Sequence, residues 1–287
     1  MDIDLTLLLI TFFIASIPVG AFAYGFSSTS VPILLTKYST RQISPILNFI
    51  EVFQNIYNLF NNRDGLNRES VSFSLYGIPG IVFGSITGAY LISASVSEFK
   101  IIVYLILIPL ILLQAYGFRK PVPVSYWKRF GSFITFPIGL LYGISTISGP
   151  PLALIINNQG LTRAEFRFNM ALLRTVESLT TFSSYIALGV FSYQVIYYSL
   201  ITTPSIIVGM LSGIFIAKLL NKEDFRRAVM SFDSYISGYG LSSNLMNANY
   251  LPQNLLGYFP LFLVIVLDAI ILSKYIRARL KSNHKEE

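Results

Sequence analysis

The chain has 287 residues, 53% of them hydrophobic and only 12% charged, with 21 Lys and Arg against 14 Asp and Glu, a net charge of +7 and a mean hydropathy of +0.61. A soluble domain carries roughly twice that charged fraction, and at about 20 apolar residues per crossing eight or nine crossings leave chain only for short loops, so a sizeable globular domain is excluded. Zero cysteines and a single histidine, His284, exclude disulfides, thiolate sites and imidazole clusters; no metal and no cofactor is expected, and the cations between apolar runs suit anionic lipid rather than nucleic acid.

Membrane spans are predicted near residues 5–24, 42–61, 71–95, 99–117, 131–157, 168–190, 194–217, 228–243 and 254–273. The first has the outline of a signal peptide ending at Ala21-Phe22-Ala23, but Asp2 and Asp4 stand where cations belong, so it is expected to remain as a span. The segment 118–130, with two prolines, Trp127 and four cations, reads as an interfacial connector. The eighth span is short, rich in Ser and Gly, and carries Asp233, which fits a buried or partly inserted element. With nine crossings and the N-terminus outside, 14 Lys and Arg fall inside, among them Lys37, Arg41 and Lys100, and the C-terminus is expected in the cytoplasm of a plasma-membrane protein.

The chain contains an internal duplication. Gly25 to Leu34 reads GFSSTSVPIL and Gly143 to Leu152 reads GISTISGPPL. Further on, Pro79, Gly84 and Gly88 recur as Pro204, Gly209 and Gly213, and Glu98-Phe99-Lys100 recurs as Asp224-Phe225-Arg226. Two matches in the same order divide the chain into a first membrane repeat over 1–118, a linker over 119–130, a second repeat over 131–243, and a final span with a basic tail over 244–287. Four crossings per half imply parallel halves; a re-entrant hairpin in each would invert them.

Each copy of the motif is expected to break a helix. Around Gly25, Ser27, Ser28, Thr29 and Ser30, the glycine and hydroxyls weaken the helix, and Pro32 is expected in the first turn of the helix that resumes. Gly143, Ser145, Thr146, Ser148, Gly149 and Pro150 repeat the pattern. Resuming helices offer free N–H groups and a positive dipole end to an oxyanion. Gly84, Gly88, Gly209 and Gly213 are spaced for close helix packing instead.

Charges inside spans complete the candidate site. Asn48, Glu51 and Asn55 share one helix face, which cannot point at lipid. Arg174 and Glu177 stand three residues apart, close enough to pair; Arg174 is also a candidate for direct anion contact, and Glu51 or Glu177 for a coupling proton. Asp268 is read as pairing or snorkelling near the interface with Lys274 nearby.

On the broken-helix motifs, the later Pro and Gly segments, and the acidic-Phe-basic ends, the sequence resembles the TauE/SafE family of sulfite exporters and sulfonate permeases over residues 10 to 230. The resemblance implies an all-α polytopic permease without cofactor, moving sulfur-containing or carboxylate-type anions. Where family members commonly carry glycines after the first Gly of each motif, this chain has Ser27, Ser28, Thr29, Ser30, Thr146 and Ser148. No catalytic residue is expected; an anion channel, a membrane-embedded enzyme and an assembly subunit are the alternatives, and a homo-oligomer fits each.

Overall fold

A computed structural model describes residues 3–22, 24–94, 99–117, 124–157, 159–219 and 222–283. Among them the regular elements are all helical: α1 (Leu5–Phe22), α2 (Phe26–Leu34), α3 (Thr40–Asn61), α4 (Arg68–Ser93), α5 (Phe99–Tyr116), α6 (Val124–Ser145), α7 (Gly149–Asn157), α8 (Arg163–Ala187), α9 (Tyr193–Leu219), α10 (Lys222–Asn247) and α11 (Phe259–Asn283). Within the bilayer a helix satisfies its own backbone polar groups, which is why so apolar a chain adopts this state almost throughout. Four helical stretches, Ser70–Ser93, Phe99–Tyr116, Tyr193–Ile216 and Leu255–Arg277, are long and apolar enough to cross a membrane unaided. α3, α8 and α10 carry polar and charged groups, and these turn inward: Glu51, Glu177 and Asp233 are all buried.

Two small-residue crossings hold the bundle together. Gly80, Gly84 and Gly88 of α4 lie against the backbone of Ser132, Phe136 and Leu140 of α6, and Gly139 and Gly143 of α6 lie against Ile81 and Ser85. Gly209 and Gly213 of α9 likewise rest on Phe13 and Ile17 of α1, while Gly20 rests on Met210. In both pairs the contacts advance together along the two chains, so α4 runs parallel to α6 and α1 parallel to α9. Backbone-to-backbone approach maximises dispersion where lipid supplies no hydrophobic drive, as the glycine spacing predicts. Gly143, read from sequence as a ligand contact, belongs to this crossing.

α2 folds back along α1. Phe26 packs on Phe12 with ring centroids 5.1 Å apart, and the backbone N–H of Asp4 donates to the Tyr38 hydroxyl at 2.9 Å. The Leu7 N–H, donating to the Asp4 carboxylate at 3.1 Å, and then Lys37, which meets it at 3.1 Å, hold that exposed carboxyl below the usual range. α3 therefore starts at the face where α1 began. It opens with a capping box, Ser39 and Gln42, and α8 opens with another, Thr162 and Glu165. α3 and α8 run antiparallel, with Asn48 reaching the Ser178 carbonyl and Asn55 that of Arg174, and so do α5 and α10, where Tyr104 faces Gly240 and Ile111 faces Met230.

The helix order long, short, long, long, long thus occurs twice, and the second series runs opposite to the first. Parallel halves, the expectation from four crossings each, do not describe this arrangement, because the folded-back α2 removes one crossing. The same hairpin moves charges between faces. Lys37, Arg41 and Lys100 lie at the Asp4 end, whereas Arg63, Arg68, Lys128, Arg129, Arg167, Lys218 and the cations of α11 lie at the other.

Three more local expectations change. Residues 118–123 lie outside the described residues, but the rest of the stretch read as a connector is helical from Val124. Trp127 is buried: its ring stacks on Phe73 with centroids 4.1 Å apart, and its indole N–H donates to the Phe73 carbonyl at 2.6 Å. The weak eighth span is a full 26-residue helix, α10, whose Ser and Gly residues allow close packing. Asp268 on α11 pairs with Arg227 of α10 and accepts from the Tyr235 hydroxyl at 2.8 Å, not with Lys274. Glu98, the acidic member of the first acidic-Phe-basic copy, lies outside the described residues.

Candidate functional site

The two breaks differ in where they fall. The first sits at Tyr24 and Gly25, where Gly25 takes φ +114°, a left-handed conformation open to glycine. α2 then resumes at Phe26, so Ser27, Ser28, Thr29 and Ser30 are helical and buried, and Pro32 lies near the helix end rather than in its first turn. Ser30 returns its hydroxyl to the Phe26 carbonyl, and the Pro32 carbonyl accepts from Tyr104 at 2.8 Å. The second break falls later, at Thr146 to Ser148, with Thr146 at φ +61°, a costly position for a β-branched residue. There α7 resumes at Gly149 with Pro150 and Pro151 in its first turn, as the sequence suggests. Ser145 caps back to the Leu141 carbonyl, and the Thr146 hydroxyl donates to the Ser145 carbonyl.

A buried carboxylate meets each short helix. Asp233 of α10 accepts from the Thr29 hydroxyl at 2.7 Å, and Glu177 of α8 accepts from the Ser148 hydroxyl at 2.5 Å. The other Glu177 oxygen, Oε1, has no hydrogen-bond partner among the described residues. Each link joins a motif to a helix elsewhere in the bundle, so movement of a short helix requires these bonds to break or exchange.

Behind them lies a polar network between α3 and α8. Arg174 binds Glu51 at 2.6 Å, both nearly inaccessible, and the Tyr142 hydroxyl donates to the second Glu51 oxygen at 2.9 Å. Asn48 reaches Tyr142 at 3.3 Å, and Asn55 anchors on the Arg174 carbonyl at 3.2 Å. The local Arg174–Glu177 pair expected from sequence is therefore replaced by an ion pair across two helices. Arg174 keeps Nε unpaired, but its guanidinium is committed to Glu51.

The two motifs meet at one small cavity of about 20 Å³, room for a single water. Gly25 and Ser28 line it from the first motif and Pro150 from the second, with Gln114 of α5 and Arg226 and Asp233 of α10. Gly149 faces the Tyr24 ring beside it. A hollow of about 370 Å³ between α3 and α9 is larger, but its lining is nearly all apolar, including Phe49, Phe53, Leu200 and Ile206, which suits acyl chains and not an anion. Arg226, Gln114 and Tyr24 were missed from the sequence, and Asp233 was noted only as an oddity of a doubtful span. The recurring acidic-Phe-basic motif, which ends in Arg226, is the signal that points to it.

A family model described as "Sulfite exporter TauE/SafE" matches residues 8–239. No curated protein and no solved structure matches the chain.

Proposed function

The chain belongs to the sulfite exporter TauE/SafE family, and from that membership we propose that it is a carrier for sulfur oxyanions or organosulfonates, sulfite first among them, with the anion held between the two broken helices. Membership makes it a membrane permease for sulfur anions; the substrate, direction and site are the proposal. The observation that carries the site is the shared cavity, where Gly25, Ser28 and Pro150 of the two motifs face Arg226. Helix N-termini and hydroxyls there offer hydrogen bonds to oxyanion oxygens, and the guanidinium of Arg226 supplies opposite charge.

The cavity is smaller than sulfite, so loading requires α2 and α7 to part, which is the behaviour of a carrier that alternates between faces. In this reading Glu51 and Arg174 clamp α3 to α8 and Tyr142 and Asn48 orient them, while Glu177 holds α7 through Ser148 until the anion arrives. The distribution of cations supports a cytoplasmic C-terminus, since the end bearing Arg63, Lys128, Lys218 and the α11 cations is far more basic than the end bearing Lys37.

The test is anion flux into proteoliposomes loaded with sulfite, thiosulfate or methanesulfonate. Saturable flux is expected, with Ser28→Ala lowering it about tenfold, the loss of one charge-assisted hydrogen bond, and Arg226→Gln lowering it further. Folded variants that all transport at the wild-type rate would refute the site, and flux of none of these anions by wild type would refute the substrate class.

A further inference from the structure

We propose that Glu177 holds a proton while α7 is seated on α8 and releases it as α7 leaves, so that this carboxyl is a proton-binding site tied to the movement of the second short helix. The inference rests on the reading that α2 and α7 part to load the anion.

Glu177 is buried about 20 Å along α8 from the end at Arg163, well inside the bundle. Among the described residues the cation beside it is Arg174, whose Nη2 is taken by Glu51 at 2.6 Å. That pair is neutral by itself, so an ionised Glu177 adds one uncompensated negative charge at a depth where solvent does not screen it. The other elements packed on α8 bring no counter-charge. α6 presents the Tyr142 hydroxyl, already donating to Glu51, and α7 is preceded by Ser148. The charged residues of α4 and of the turn before it, Arg68, Glu69, Arg63 and Asp64, stand at the basic face.

The hydrogen bonds agree with the charge count. Glu177 Oε2 accepts from the Ser148 hydroxyl at 2.5 Å, whereas Oε1 is buried without a partner. No donor fills it, and the Nε of Arg174 is itself unpartnered. Acceptors, by contrast, stand open. Thr181, one turn further along the same face, keeps a buried Oγ1 without a partner. Asn48, whose amide nitrogen reaches the carbonyl of the neighbouring Ser178 at 3.2 Å, keeps a buried Oδ1. A proton on Oε1 removes the net charge and turns that oxygen into a donor. It leaves the Ser148 bond intact, because the carbonyl oxygen of a neutral carboxyl also accepts.

Ser148 immediately precedes α7, so its bond to Glu177 sets the seat of that helix on α8. When α7 leaves, water reaches Glu177, the carboxylate becomes hydrated, and the proton passes to that water. Seating α7 again takes one proton back. Alkaline conditions therefore favour the parted helices and acid conditions the seated ones.

The experiment records infrared spectra of the purified full chain at neutral pH in H2O and in D2O, where a protonated carboxyl gives a carbonyl stretch above the amide I band that moves down on deuteration. Wild type is expected to show such a band, Glu177→Gln to lack it, and Asp233→Asn to retain it. Ser148→Ala is expected to keep it at higher frequency, since the carbonyl loses a hydrogen bond. Exchange of methanesulfonate across liposomes with equal pH on both sides is expected to rise up to about tenfold per pH unit in wild type, the slope of one released proton, and to be slow and flat within about twofold in Glu177→Gln. A wild-type spectrum without the band, a band unchanged in Glu177→Gln, or a band seen only in sodium-free buffer, which would give the place to sodium, overturns the proposal. If Glu177→Gln aggregates on size exclusion, Ser148→Ala decides, and a band that does not move there overturns it equally. The expected bands in protein that moves no sulfur anion would support the proton site and refute the substrate class; sulfur-anion flux without the band would do the reverse.

Discussion

Replacing Arg174 by Met is expected to cost about 3–5 kcal/mol, because it leaves Glu51 buried without its counter-charge. Glu51 is fully inaccessible and keeps only the Tyr142 hydroxyl when the guanidinium is gone, at a depth where water cannot compensate. In detergent this reads as a fall in unfolding midpoint on the order of 10 °C. The double variant Glu51→Met with Arg174→Met is expected to regain most of the loss, since two apolar groups of similar size need no partner. Midpoint losses that simply add in the double variant would mean that the pair is not coupled, and the clamp between α3 and α8 would have to be abandoned. Folded double variants then give a second reading: if the pair is scaffold, they retain anion binding, whereas a direct contact by Arg174 would abolish it.

The second large effect concerns the glycine crossings. A Cβ at Gly84 would run into the Phe136 carbonyl, and one at Gly213 into the Ile17 carbonyl, in each case backbone that cannot rotate away. Gly84→Leu and Gly213→Leu must therefore separate α4 from α6 or α1 from α9, the two parallel pairs on which the bundle is built. Loss of nearly all monodisperse protein on size exclusion is expected. Gly160 makes the contrast: nothing lies within 4 Å and its φ is +70°, so Gly160→Asn is expected to fold as wild type. A leucine variant eluting like wild type would show that the helices tolerate a wider separation than this packing allows.

Much of the architecture is legible in the sequence, for a physical reason. Helix content, the two breaks and the small-residue crossings depend on local chemistry: hydropathy, a glycine able to adopt positive φ, prolines, and glycines four residues apart. What is not legible depends on how helices are set against one another. Arg174 has Glu177 three residues away and Glu51 on another helix, and only the antiparallel seating of α3 on α8 decides for Glu51. Asp233 falls in a stretch of low hydropathy because its Ser and Gly residues serve close packing in place of lipid contact. The assignment of charges to faces turns on whether α2 crosses or folds back, which spacing alone leaves open; the contact of Lys37 with Asp4 decides it. Once α2 folds back, Lys128 and Arg129 no longer oppose the charge rule, because α6 starts at the basic face.

The two carboxylates at the short helices give the structure its functional sense. Asp233 accepts from Thr29 and Glu177 from Ser148, so in the proposed carrier an arriving oxyanion competes with these internal acceptors for motif hydroxyls. Exchange of one acceptor for another requires little net energy while it changes which helices are tied together, and that is the economy a carrier needs.

The most direct test of the anion site is the position of selenite, the heavier analogue of sulfite, located by its anomalous scattering in crystals of the full chain. A peak between Ser28 and Pro150, within hydrogen-bond reach of Arg226, is the expected result. A peak at Arg174 with the Glu51 pair broken, or one only on the exposed basic face, would contradict it.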